Sequence, residues 1–370
     1  MTDVLLHVNH AEPVAGRVLE TWSFRRSNYF AQVGRECRHV HEKVGLLDMS
    51  AFAKFEISGP GAEAWLDGFV AGRLPRKVGR IGLCYHLTPR GGVRAEFTVY
   101  RAGVARFYIV SAGALETHDR DCFERALPRD GSVRLECVTE RIGVLVVAGP
   151  EARRLLERVT DADMSDAAFP WLSGRTISVG AATVLAMRVN YVGELGWELH
   201  HPISQQNAIF DALMGAGLDL RPFGIKAMES LRLEKSYKAM GRELSIEYAA
   251  LESGLERFVA LDKGDFVGRE GLVAWRDRGF ANACVTLEVH GVTDADARGS
   301  EPIWLGEEIV GRATSGGYGW RVGASLALGM VRPDLAVPGT ALQIEILGVR
   351  HGATVVMESP FDPGNARLKG

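Results

Sequence analysis

The feature that most restricts the fold of this chain is a unit that occurs twice. KFEISGPGAEAWLDGFV (54–70) and GVLVVAGPEARRLLERVT (143–160) each run from a short apolar strand through a Gly-Pro turn into an amphipathic helix. Self-similarity at that separation predicts two related α+β subdomains. The first copy, Gly59-Pro60-Gly61-Ala62-Glu63-Ala64, also fits a dinucleotide fingerprint formally. We set that reading aside. Pro60 offers no N–H to a phosphate and suits the first position of a helix, no acid follows on a second strand, and the twin at Gly149-Pro150 lacks the pattern. A tight strand-to-helix turn accounts for both copies.

The rest of the chain reads around these units. Residues 1–26 read as an irregular arm. From Ser27 the spacing of Phe30, Val33, Cys37, Val40 and Val44 predicts a helix capped by Ser27 and stopped by Gly45. LCYHLTPRGGVRAEFTVYRAG (83–103) predicts a hairpin turning at Pro89-Arg90-Gly91-Gly92, and TVLAMRVNYVGELGWELHHP (183–202) a second. In GIKAMESLRLEKSYKAMG (224–241) a helix is expected, with local ion pairs Glu229–Arg232 and Glu234–Lys238. From about residue 281 short strands separated by Gly and Pro turns predict a small all-β domain, a barrel or a sandwich.

Composition narrows the class. A chain of 370 residues with 46% apolar and 24% charged residues is globular and long enough for roughly two to three domains. The net charge is −3 and no basic block stands out, which argues against a nucleic-acid surface. The five cysteines (Cys37, Cys84, Cys122, Cys137, Cys284) are scattered and form no CxxC, so neither a zinc knuckle nor a disulfide framework is expected. The opening MTDVLLHVNHAEP is no secretory leader, and no stretch approaches the ~20 apolar residues of a membrane span. A reducing, cytoplasmic setting is the expectation.

Few residues offer chemistry. Glu96 sits on an alternating strand just past the Gly-Gly turn, where an acid either faces solvent or is held in a pocket with a raised pKa. Tyr191-Val192-Gly193-Glu194-Leu195-Gly196-Trp197-Glu198 combines two glycines, two aromatics and two carboxylates. That segment is either a bulged hairpin with exposed acids or a seat for a flat heterocycle with N–H donors along one edge. The pair His200-His201 cannot place both rings on one face of a strand, so no metal site is expected. Gly316-Gly317 reads as a loop that a turn suffices to explain. No nucleophile elbow and no phosphate loop is present.

LTPRGGVRAEFTV, the strand–GPEA–helix unit, YVGELGWELHHP, ESLRLEKSYKAMG, LESGLERFVALDKGDFVGREGL, IVGRATSGG and ESPFDPGNARLKG follow one another in this order. Together they resemble the aminomethyltransferase (glycine-cleavage T-protein) superfamily, from about Tyr29 to the C-terminus. The likeness is strongest to the folate-binding C-terminal half of dimethylglycine and sarcosine dehydrogenases. The resemblance implies an α+β, three-domain cloverleaf with tetrahydrofolate in a central channel. Its first folate-binding subdomain would comprise 1–50 and 140–225, its second 51–139 and 226–280, and its C-terminal β-barrel 281–370. It further implies that Glu96 stands where the family has its catalytic aspartate. Thr98 would line the pterin site, Glu198 would clamp the pterin N–H edge with Tyr191 beside it, and Tyr85 would belong to the same binding set. Two departures from the family pattern, Met228 in place of an Arg and Arg257 in place of an aromatic, imply that the glutamate tail of folate is held differently, with Arg257 as the candidate.

Three outcomes stay open at this level. Because no flavin domain precedes the matched segment, the chain is expected to be free-standing, like the T-protein or dimethylsulfoniopropionate demethylase. It would then move an activated methyl group from a small methylated amine, betaine or sulfonium compound to tetrahydrofolate. Alternatively, it captures the iminium or formaldehyde product of a separate flavoprotein dehydrogenase as 5,10-methylenetetrahydrofolate, or serves such a complex as a scaffold. Lys263-Gly264-Asp265-Phe266-Val267-Gly268-Arg269-Glu270 has the register of the motif in folate-binding iron–sulfur assembly factors, but Asp265 replaces the cysteine that this third, non-enzymatic reading needs.

Overall fold

The computed structural model describes residues 23–370, so the irregular arm expected over 1–26 falls almost wholly outside them. The first helix spans Phe30–Glu42 and buries Val33, Cys37 and Val40. It starts three residues after Ser27, whose backbone carbonyl rather than its side chain accepts the Phe30 N–H at 3.1 Å. It ends before Gly45 because Val44–Asp48 is claimed by a sheet, in which Gly45 pairs with both Ala148 and Arg221. A Cβ at Gly45 would come within 2.6 Å of the Phe223 and Val40 side chains, so this glycine serves packing rather than helix termination.

Two sheets follow from the repeated unit. One has six strands in the order 220–222, 44–48, 142–148, 196–202, 182–187, 174–179; the other has five, in the order 81–87, 93–103, 106–111, 53–58, 134–137. Both predicted hairpins are present as antiparallel pairs within them. Strand alternation sorts the side chains. Leu145, Val147, Trp197 and Leu199 join one apolar core, which also takes in residues of the helices 152–156 and 206–214. Phe55, Ile57, Phe97, Val99, Phe107 and Ile109 join another with the helices 62–69 and 116–126. Each such fully buried side chain contributes about 1.5–3 kcal/mol relative to exposure. The opposite faces of the two sheets meet at a seam that includes Ile81, Tyr100, Tyr108, Val110 and Met187.

The two Gly-Pro turns are built alike. Gly59 and Gly149 hold φ of 122° and 134°, and a side chain at either would run into a backbone carbonyl, Ser132 O or Lys43 O. Those same carbonyls accept the N–H of Gly61 (3.0 Å) and of Glu151 (3.1 Å). The amides of the turn are therefore committed to the protein, which supports reading it as a structural joint.

The helix Ile225–Leu233 is shorter than its pattern suggests. Glu229 and Arg232 pair at 3.1 Å as expected, but Glu234 and Lys238 do not meet. The chain leaves the helix through Ser236 in the left-handed region (φ 55°), so i,i+4 spacing no longer brings side chains together. Glu234 turns to Arg321 instead, and Lys238 to Glu358.

The C-terminal segment closes into a six-stranded barrel, 283–289, 324–331, 308–319, 302–305, 341–346 and 349–356. Gly316 and Gly317 lie inside the strand Glu308–Gly319 rather than in a loop, and a Cβ on Gly316 would collide with the carbonyl of Ala297. The barrel is tied to the rest of the chain by buried Glu243, which accepts from Arg232 (3.4 Å), the Ala239 N–H (2.9 Å), Thr314 (2.6 Å) and Ser315. Among the described residues no helix is long and apolar enough to cross a membrane, and all five cysteines are free.

Candidate functional site

The hairpin 81–87/93–103 turns through Thr88–Gly92, with Gly91 at φ 89° and the Gly92 N–H held by Thr88 Oγ1 at 3.1 Å. This fixes the register that pairs Glu96 with Tyr85 and Thr98 with Leu83. Ala95, Phe97 and Val99 enter the helix-covered core, which leaves Glu96, Thr98 and Tyr100 on the seam face. Glu96 and Thr98 are each half-buried. The Tyr85 hydroxyl donates to Glu96 Oε1 at 2.8 Å. Burial pushes the Glu96 carboxyl up to about 7, against the downward pull of the Tyr85 hydrogen bond and the Lys238 charge. Burial, followed by the charge of Glu96, holds the Tyr85 phenol well above its ordinary range, so it stays a neutral donor.

The facing strand 196–202 places Trp197 and Leu199 in its own core and thereby turns Glu198 and His200 towards the seam. Glu198 pairs with Met187 across its sheet, while Val110 lies opposite Thr98 and Tyr108 opposite Tyr100 across the other. The two sheets are bridged here: Tyr108 Oη lies 3.0 Å from His200 Nδ1, and His200 Nε2 lies 3.1 Å from Glu198 Oε2. All three side chains are buried. Glu96 Oε2 and Glu198 Oε1 accept no hydrogen bond from the described residues. Each carboxylate thus keeps one acceptor open.

Tyr191 lies in the loop that joins strands 182–187 and 196–202, within reach of the Glu96 charge. Its hydroxyl donates to the Lys238 carbonyl, and its ring stacks on Tyr237 at 5.8 Å between centroids. Burial raises its phenol above the ordinary range. The Asn190 side chain shapes the loop by accepting from the N–H groups of Val192 (3.0 Å) and Gly193 (3.2 Å) and donating to Glu194 O (2.8 Å). A Cβ on Gly193 would strike the Lys235 side chain, and one on Gly196 would come 2.6 Å from Val147 O. Both glycines therefore admit the protein's own chain, not a ligand. Arg257 is exposed on the short turn Glu256–Phe258, with its guanidinium 4.7 Å from the centre of the Phe258 ring. That ring lies 5.5 Å from Tyr85, which puts Arg257 on the outer side of the aromatic group. Met228 is buried in a cluster with Cys37 and Phe223.

The structure thus groups Tyr85, Glu96, Tyr191 and, further out, Arg257, with Thr98 and Glu198 on facing sheets of the adjoining seam. Sequence reasoning passed over Tyr108, Tyr237 and Phe258, weighed His200 only as a metal ligand, and gave Lys238 only a local ion pair with Glu234. Tyr237 and Lys238 follow a helix that ends earlier than its pattern suggests, and Tyr108 shows only as one member of an apolar strand. Lys263, in the assembly-factor register, donates to the carbonyls of Asp67 (2.5 Å), Val70 (2.8 Å) and Gly72 (2.7 Å), a purely internal tie. Among the described residues no group of three or more His, Cys, Asp or Glu is arranged to hold a metal.

The donor set suits a reduced pterin. An open carboxylate oxygen on Glu198 can accept N–H donors from a ring edge, stacked Tyr191 and Tyr237 offer a flat apolar wall, and Glu96 can take up or release a proton near neutrality.

Comparison with known proteins identifies the family. Residues 8–263 match the GCVT N-terminal domain and residues 282–362 the glycine cleavage T-protein C-terminal barrel domain. The chain is 38% identical to mitochondrial dimethylglycine dehydrogenase of Mus musculus over 94% of its own length and 40% of that protein, so it spans about two fifths of this longer relative. It is 31% identical to the aminomethyltransferase of Saccharopolyspora erythraea over 98% of both chains. The crystal structure of glycine cleavage system aminomethyltransferase T from Bartonella henselae superposes with a TM-score of 0.80 at 22% identity over 93% of this chain and 94% of that one, a likeness of fold.

Proposed function

The chain belongs to the glycine-cleavage T-protein family of folate-dependent one-carbon transferases, and we propose that it loads tetrahydrofolate with a one-carbon unit from a small N-methylated amine. The observation that carries this reading is Glu96: a half-buried carboxyl poised at about 7, with one oxygen unclaimed, on the seam that Glu198 faces from the other sheet. The 38% identity to a dimethylglycine dehydrogenase along nearly the whole chain supports an N-methyl amine as the carbon source.

Tetrahydrofolate supplies two nucleophilic nitrogens, N5 and N10, each of which sheds a proton as carbon is added. Glu198 would hold the N–H edge of the ring through Oε1, with Tyr191 and Tyr237 against its face and Thr98 beside it. Arg257, exposed at the rim, would meet the carboxylates of the glutamate tail. Glu96 takes the released proton at Oε2, the oxygen that Tyr85 leaves open. A group whose pKa lies near the working pH accepts and returns a proton with little penalty, a contribution of about 10²–10⁴-fold. Tyr85 keeps the carboxylate aimed without itself ionising.

The test is to incubate the protein with tetrahydrofolate and a panel of N-methyl amines, betaines and sulfonium compounds, with and without a flavoprotein amine dehydrogenase, and to identify the folate product by mass spectrometry. A 5,10-methylene product that depends on the dehydrogenase and an N-methyl amine places the chain after an oxidation. A 5-methyl product formed by the protein alone makes it a methyltransferase. Consumption of sulfonium compounds only would overturn the amine assignment, and a calorimetric titration without affinity for tetrahydrofolate would overturn the folate reading itself.

A further inference from the structure

Behind Glu198 the two sheets are joined by a buried relay for which the proposed chemistry has no direct use. Tyr108 Oη and His200 Nδ1 are 3.0 Å apart, His200 Nε2 and Glu198 Oε2 3.1 Å, and the phenol meets the imidazole edge to face at 5.3 Å between centroids. Tyr108 is 6% exposed, His200 3% and Glu198 7%, so these contacts are made away from bulk solvent. Tyr108 comes from the five-stranded sheet and the other two from the six-stranded sheet. The orientation of Glu198 is therefore set by the neighbouring sheet, through an imidazole.

We propose that His200, held in its Nε2–H tautomer by the Tyr108 hydroxyl, is the positioning residue that holds the Glu198 carboxylate with Oε1 turned to the ligand. The inference rests on the folate reading and deepens it. An ionised Glu198 can only accept, so the atom facing it must carry a proton, which requires Nε2–H. In a neutral ring Nδ1 is then bare and needs a donor, and the Tyr108 hydroxyl is the group in place to supply one. Burial, with the charges of Glu198 and Glu56 behind it, holds the phenol well above its ordinary range and so keeps that proton on Tyr108. With Oε2 occupied in this way, Oε1 is the acceptor left for a ring edge presenting N–H donors. A ligand with acceptors on that edge would face an uncompensated carboxylate and be rejected.

The experiment combines calorimetry with steady-state kinetics on wild type, Tyr108→Phe, His200→Leu and Glu198→Gln, together with Tyr108→Phe in the Glu198→Gln background. Chemical denaturation checks that the variants are folded. Losing a buried hydrogen bond to a charged group predicts a tetrahydrofolate Kd about ten- to a hundredfold higher for His200→Leu, and about tenfold higher for Tyr108→Phe, which retains the ring and its packing. kcat should hold while KM for folate rises. In the Glu198→Gln background Tyr108→Phe should add nothing, because its effect runs through the carboxylate. ¹⁵N NMR of His200 should show a bare Nδ1 in wild type and tautomer mixing in Tyr108→Phe. Wild-type folate affinity with no change in Tyr108→Phe, or an undiminished effect in the Glu198→Gln background, would overturn the relay alone. A wild type that binds no reduced folate removes the folate reading and this inference with it.

Discussion

Glu194 and Glu198 stand four residues apart in the same motif, both are buried, and they live in opposite chemical worlds. Glu194 Oε1 accepts from Arg321 Nη1 (2.9 Å) and lies 3.0 Å from His41 Nδ1, while Oε2 accepts from Arg367 Nε (2.7 Å). Arg321 in turn pairs with Glu234 at 2.5 Å and lies 3.9 Å over the Phe361 ring. This cluster ties the first helix, the motif loop, the barrel and the C-terminal tail together. Among the described residues Glu198 has a single partner, on a single oxygen. A carboxylate whose acceptor capacity the protein has used up is architecture, and one with an oxygen left over is free to take the ligand proposed for it. The sharpest break of this contrast is Glu194→Ala against Glu198→Ala. Removing Glu194 leaves Arg321, 1% exposed, short of a buried counter-charge, which costs about 3–5 kcal/mol. Its denaturation midpoint should fall accordingly. Glu198→Ala should unfold near the wild-type midpoint but lose tetrahydrofolate affinity by about a hundredfold. Equal destabilisation by the two substitutions would erase the distinction.

Next in size is the contrast between the holding role proposed for Glu198 and the proton-transfer role proposed for Glu96. Glu96→Gln should lower kcat by about 10²–10⁴-fold with tetrahydrofolate affinity nearly unchanged. An equal loss in both quantities would make Glu96 a binding group. The pH dependence carries the same test. The proposed role needs the base form, and burial pushes the folded carboxyl up to about 7, so kcat should climb as pH rises through 7 and level off above it. The Tyr85 hydrogen bond favours the charged form, so Tyr85→Phe should move this limb to higher pH. Stability runs the other way. Glu96 has a raised folded pKa, so between the ordinary carboxylate range and about 7 the folded chain keeps a proton that the unfolded chain has lost. Its contribution therefore declines as pH rises through that window. Denaturation midpoints at about pH 5 and about pH 8 should show Glu96→Gln gaining on wild type at the higher pH.

What could be read beforehand divides along similar lines. Hairpins, turns and the barrel were legible because their signals are local: alternation, Gly-Gly at a turn, and short strands between glycines. Glu96 was legible as a choice between solvent and pocket, and the tertiary placement of Tyr85 and Lys238 around it decides that choice. The roles of Glu194 and Glu198 were not separable from residues alone. What distinguishes them is Arg321 and Arg367 on one side and Tyr108 on the other, partners between about ninety and 173 residues away in the chain. The helix at 225–233 misled for a related reason. Its i,i+4 charges satisfied the local rule, yet Glu234 and Lys238 found longer-range partners once the chain turned at Ser236. The glycines of the motif invited a ligand, whereas the structure shows Lys235 and Val147 filling those spaces.

The smallest expected effect separates two arginines. Arg321 is 1% exposed and bound on several sides, whereas Arg257 is exposed and, among the described residues, has only the Phe258 ring beneath it. If Arg257 meets the glutamate tail of folate, it does so in water and through charge, which limits it to about 0.5–1 kcal/mol and makes it sensitive to salt. Arg257→Ala should weaken tetrahydrofolate binding about two- to fivefold at low ionic strength, and Arg257→Glu somewhat more. Both differences should vanish near about 1 M salt, where the screening length is about 3 Å. Kd values for mono- and polyglutamylated folate at the two salt concentrations provide the measurement, with the longer tail showing the larger dependence on Arg257. Identical affinities for wild type and Arg257→Glu at low salt would take the tail away from Arg257, while leaving Glu96 and Glu198 untouched in their roles.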